Sequence, residues 1–139
     1  MLPDADVLGL KIGVAYADNW GHRGATHSLA IAALLATFVV LLWREWRCWR
    51  AWTFLVLAAA SHGLFDMVTD GGLGVALFWP FETTRHFFPV TPIRVSPIGS
   101  GFFSLRGLET IVSEMAWIWL PSWSVALLMA VSRRRPNGP

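Results

Sequence analysis

Three stretches of the chain are apolar at nearly every position, and the polar residues crowd into the segments between them. The first runs from Thr26 to Trp43, and its core from Leu29 onward carries no charge. The second runs from Ala51 to Thr69, and the third from Ile111 to Val131, interrupted by Pro121. Stretches of about 20 predominantly apolar residues read as transmembrane helices. Thr26 is placed to cap the first. Between the second and third lie segments of another kind. Gly72 to Phe81 is apolar but too short to span, and reads as dipping into the interface or re-entrant. Arg85 to Gly99 carries Pro89, Pro92 and Pro97, so it reads as extended and turn-rich. The pattern predicts an all-α integral membrane bundle of about three transmembrane helices with an irregular extracytoplasmic loop. One membrane domain covers residues 1–135, with spans at 26–43, 51–69 and 111–131 and a disordered tail at 136–139.

Composition sharpens this picture. Of 139 residues, 55% are hydrophobic and only 14% charged, whereas a soluble domain has about a quarter charged. Nine tryptophans suit membrane interfaces. Trp43, Trp46, Trp49 and Trp52 alternate with Arg44, Arg47 and Arg50 between the first two spans. The net charge of +2 is better read as topology control than as nucleic-acid binding. The positive-inside rule puts that loop and Arg133 to Arg135 on the cytoplasmic side of the membrane. The N-terminal segment and the long loop then face outward. Residues 1–6 lack the basic and apolar regions of a signal peptide. The expectation is therefore a further span upstream, or direct translocation of a short tail. The single Cys48 forms no internal disulfide.

The ionisable residues of the apolar segments gather at one depth. His22, Arg23 and His27 stand at the outer end of span one, His62, Asp66 and Asp70 on the outer third of span two, and Glu114 near the outer end of span three. Such residues are costly in a membrane and mark functional sites. His62 and Asp66, at i and i+4, share one helix face. They can hold a divalent metal together or support one another's ligation. A structural hydrogen-bonded pair is the other reading. Gly21 and Gly24 favour a loop in which His22 and His27 converge. Asp4 and Asp6 can add carboxylates, although alone they read as solvated turn residues. Arg23, Arg85 and Arg94 suit an anionic group, while Arg85 and Arg94 can equally snorkel to lipid headgroups. The amides from Ala25 to Ser28, at the start of span one, form a second anion-binding feature.

These residues, in this order, resemble the YdjM-like family of membrane-bound metal-dependent hydrolases, an inner-membrane, SOS-regulated type. The matching stretches are Leu2-Pro3-Asp4-Ala5-Asp6, Gly21 to Ser28 (HRGATHS from His22), and Ser61-His62-Gly63-Leu64-Phe65-Asp66 through Thr69. Further matches are Trp79-Pro80-Phe81, Arg85, Phe87-Phe88-Pro89 and Val95 to Gly99. The resemblance implies a helical membrane protein with a divalent-metal site and a hydrolase activity. It implies Asp4, Asp6, His22, His27, His62 and Asp66 as metal ligands, and Arg23, Thr26 and Arg85 as substrate-binding or supporting residues.

Together these readings predict a metal-dependent hydrolase acting at the membrane interface, with Zn²⁺ or a similar ion. Asp70 or Glu114 would be the catalytic base. The expected partners are membrane lipid and a lipid-linked or other anionic substrate such as a phosphoester. The alternative is a non-enzymatic metal- or proton-binding membrane protein, structural or accessory to transport. Transport needs polar residues reaching the other face, and the inner halves of the spans carry no His, Asp or Glu.

Overall fold

A computed structural model describes residues 3–97 and 99–133. Leu2, Ile98, Arg134, Arg135 and the 136–139 tail lie outside the described residues. The chain divides into two units, Met1–Thr91 and Pro92–Pro139. Regular structure among the described residues is helical, and the isolated bridge of Val75 with His86 belongs to no strand.

The first unit holds α1 (Val7–Lys11), α2 (Leu29–Leu42) and α3 (Trp49–Met67), with 3₁₀ turns at Pro3–Asp6, Ala25–His27 and Arg44–Trp46. Ser28, not Thr26, caps α2, its hydroxyl accepting the Ile31 amide at 3.2 Å. Helices α2 and α3 form an antiparallel hairpin. Trp52 Nε1 donates to Thr37 Oγ1 at 2.9 Å near the turn, while Gly63 meets the His27 carbonyl at the other end. Small residues line this contact: Ala32, Ala36, Ala60 and Gly63 are all buried. Small side chains let helix backbones approach closely, as they do in lipid. The large apolar residues of the same helices, Leu34, Phe38, Leu41, Phe54 and Leu57, are exposed. That arrangement is the reverse of a soluble core.

The segment from Gly72 to Phe81 is a strap over the first unit. Val75 and Leu77 pack with Met67 in a small apolar core, and the Leu77 carbonyl accepts the Leu29 amide at 3.0 Å. Gly74 to Leu77 are therefore buried against protein, whereas Leu73, Phe78 and Phe81 are exposed.

In the second unit, Leu105–Glu114 (α4) continues through a π turn at Met115–Trp119 into Leu120–Arg133 (α5). The interruption that the sequence predicts at Pro121 does not occur. Proline has no N–H and its ring crowds the carbonyl four residues back, here Trp117. The π turn lies over those residues, so the helix runs on. At 29 residues, Leu105–Arg133 is the one described helix both long and apolar enough to cross a membrane. Helix α2 is apolar but has 14 residues, a rise of about 21 Å. Helix α3 has 19 and carries Arg50, His62 and Asp66. One spanning helix therefore stands on length and composition.

Candidate metal centre

The N-terminal 3₁₀ turn, the Gly21–His27 loop and one face of α3 supply the site. Helical spacing puts His62 and Asp66 together on α3, one turn apart. The loop reaches them because its glycines allow close passage. A Cβ on Gly24 would run into the Asn19 carbonyl oxygen, and one on Gly63 would lie 2.7 Å from the His27 carbonyl oxygen. Without a side chain at 63, the loop lies directly on α3, with the His27 and His62 rings 5.1 Å apart.

Four side chains converge there. Asp4 Oδ1 lies 3.0 Å from His62 Nε2 and 3.5 Å from His27 Nε2. Asp66 Oδ2 lies 3.1 Å from His27 Nε2 and 3.7 Å from His62 Nε2. Ligand atoms of all four residues fall within 4.8 Å of one another. A tetrahedral site with ligand distances of about 2.0–2.1 Å has edges of about 3.3 Å, and the four distances straddle that value. The His27 side chain is fully buried, yet neither its Nε2 nor Asp66 Oδ2 makes a hydrogen bond. Buried polar atoms are normally satisfied. These two face the same space without bonding each other, so the residues fit a cation.

Asp6, His22 and His27 form a second group with ligand atoms within 4.8 Å of one another, and Thr26 adjoins it. Asp6 accepts from the Thr26 hydroxyl, from the Arg23 backbone amide at 3.3 Å, and from His22 Nδ1 at 2.7 Å. Its Oδ2 also lies 3.3 Å from His27 Nδ1. Burial alone would raise both N-terminal carboxyls. The imidazoles of His27 and His62 beside Asp4, and those of His22 and His27 with the Thr26 hydroxyl beside Asp6, more than offset this. Both are held well below the ordinary carboxylate range.

Arg23 is buried in the left-handed region at φ 63°, where a long side chain costs about 1–2 kcal/mol. Its guanidinium ties the loop to the end of α3. It donates to Thr69 Oγ1 at 2.9 Å, the Gly71 carbonyl at 2.8 Å and Asp66 Oδ1 at 3.0 Å. Arg85 donates to the carbonyls of His22, Tyr16 and Asp18 at 2.8–3.0 Å. Both guanidinium groups thus brace the loop. The backbone amides before α2 are also engaged: Ala25, His27 and Ser28 donate to the carbonyls of Asn19, Gly24 and Ala25. The anion-binding helix start expected there is therefore closed by the chain itself. Asp70 falls past the end of α3, in the bend after Thr69, and Glu114 ends α4 in the second unit. That Asp6 gathers so many donors is not legible in the sequence, where the one signal is its spacing of two from Asp4.

A profile described as "YdjM inner membrane protein" matches residues 1–136. The chain is 45% identical over 125 residues to the inner membrane protein YbcI of Escherichia coli, covering 87% of this chain and 72% of that protein. It is 43% identical over 91 residues to the inner membrane protein YdjM of E. coli, and equally to that of Shigella flexneri. Those matches cover 58% of this chain and 44% of the relatives. No solved structure matches it. The matching profile spans nearly the whole sequence and includes every residue of the cluster: the chain belongs to the YdjM family of inner membrane proteins.

Proposed function

We propose that this protein is a metal-dependent hydrolase of the bacterial inner membrane, with a divalent ion held by Asp4, His27, His62 and Asp66. The observation that carries the reading is the fully buried His27 Nε2, unbonded and facing two carboxylates. Two nitrogen and two oxygen donors suit Zn²⁺ better than the all-oxygen shells preferred by Ca²⁺ or Mg²⁺. When bound, such an ion polarises a scissile ester and supplies a nucleophile at neutral pH.

The chain's own residues set the geometry. Arg23 holds Asp66 by Oδ1 and leaves Oδ2 facing the cluster. Thr69 and Gly71, also bound by Arg23, flank Asp70, which is the acid–base candidate of this unit. The lipid-facing character of α2 and α3 supports their lying in the bilayer with Leu105–Arg133, as a multi-pass protein. A lipid or lipid-linked phosphoester is the preferred substrate, because the cluster lies at one end of the α2–α3 hairpin, whose large apolar side chains are exposed.

The test is elemental analysis of detergent-purified protein followed by assays on lipid phosphoesters. We expect stoichiometric zinc in the wild type and its loss in His62→Ala and Asp66→Ala. Asp70→Asn should keep the metal and lose at least about 100-fold in turnover, the low end of a general acid–base contribution. A metal-free wild type refutes the reading. Bound metal with no turnover on any phosphoester leaves the non-enzymatic alternative.

A further inference from the structure

Resting on the metal reading above, we infer that Asp6 is a positioning residue and not a ligand: it fixes His27 in the tautomer that frees Nε2, and the site holds one ion, not two. Six Asp and His side chains meet here, and a second trio, Asp6, His22 and His27, is also close enough to enclose a cation. The hydrogen bonds decide between the two arrangements. The Thr26 hydroxyl has one proton and gives it to Asp6 Oδ2. Its contact with His27 Nδ1 at 3.0 Å must then be one in which Thr26 accepts. Nδ1 therefore carries the proton, with Asp6 Oδ2 also beside it at 3.3 Å. In a neutral ring this leaves Nε2 as a lone pair, turned to Asp4, His62 and Asp66.

Asp6 itself has no vacancy for an ion. Its side chain is almost wholly buried, with His22 on Oδ1 and the Thr26 hydroxyl and Arg23 amide on Oδ2. A metal there would face the protons of His22 Nδ1 and His27 Nδ1. A carboxylate behind a ligating histidine fixes ring orientation and raises ligand basicity, and its loss typically weakens metal affinity by about 10–100-fold. Thr26 and His22 in turn hold Asp6, so the loop from His22 to His27 carries a ligand and its support within one turn.

The test is titration of the metal-stripped full chain in detergent with Co²⁺, read by its visible absorption. Wild type should bind one equivalent. Asp6→Asn should still bind one, about 10–100-fold more weakly and with a shifted band. Thr26→Val removes the hydroxyl without touching a carboxylate and should weaken binding in the same direction. His22→Ala should keep one equivalent. Two equivalents in wild type falling to one in Asp6→Asn or His22→Ala would overturn the inference and make the second trio a metal site. Unchanged affinity and spectrum in Asp6→Asn, or in Thr26→Val should Asp6→Asn not fold, would overturn it while leaving the metal reading intact. No cobalt bound by folded wild type would overturn both.

Discussion

At the scale of single residues, the site is a contest between desolvation and hydrogen bonding. Asp4 and Asp6 stay ionised because their imidazole and hydroxyl donors outweigh burial. A carboxyl lowered in the folded state binds fewer protons than in the unfolded chain. Its contribution is complete above the unfolded value of about 4 and is lost as pH falls below it. Metal-free protein in detergent should therefore lose thermal stability progressively below about pH 4, and Asp6→Asn should flatten that dependence. Melting followed by tryptophan fluorescence across that range measures it; equal slopes in the two proteins would refute the assignment. The His62–Asp66 pair was legible in the sequence because helical spacing alone places it. The roles of Arg23 and Arg85 were not, because both bind backbone carbonyls, Gly71 for one and Tyr16, His22 and Asp18 for the other. Carbonyls exist at every position, so no residue type advertises which of them a guanidinium will find. The same holds for Thr26, read as a helix cap and found on Asp6.

At the scale of elements, the site depends on how closely the His22–His27 loop lies on α3. Gly63 sets that distance, since an added Cβ would be 2.7 Å from the His27 carbonyl oxygen, and backbone there cannot yield cheaply. Gly63→Ala should destabilise the first unit by about 1–3 kcal/mol, as overpacking does. It should also weaken metal binding, because His27 moves away from His62 and Asp66. A melting curve and a cobalt titration on one preparation measure both effects, and a neutral result in each would show that the loop is held elsewhere. The hydrophobic pattern placed all three long helices to within a few residues at most ends. It missed the start of the last, Leu105 in place of Ile111, because Arg106 and Glu109 break the apolar run while the backbone continues helical. Pro121 misled for a related reason: a π turn accommodates the lost hydrogen bond, and composition does not reveal that it forms.

At the scale of the whole molecule, the question is which side of the membrane the cluster faces. From Ala25 to Trp46 the chain runs through a 3₁₀ turn, α2 and another 3₁₀ turn, ending at the arginine and tryptophan loop. Arg44, Arg47 and Arg50 lie in or beside that loop, and Arg47 also donates to the Leu41 carbonyl at 2.7 Å, closing the end of α2. Arginine beside a membrane helix favours the cytoplasmic side. The Asp and His cluster lies at the opposite end of the same hairpin, so the proposed multi-pass topology would put it at the outer leaflet. Cys48 is the chain's single cysteine and is exposed in that loop, so it reports the topology without engineering. A membrane-impermeant maleimide should leave Cys48 unmodified in intact spheroplasts and label it in inside-out vesicles. Trp20→Cys in a Cys48→Ser background, at an exposed position in the loop that leads to His22, should show the reverse. Labelling of Cys48 from outside would invert the hairpin and place the cluster at the cytoplasmic face. Its substrates would then be drawn from the inner leaflet, and the assays would have to begin with cytoplasmic lipid intermediates.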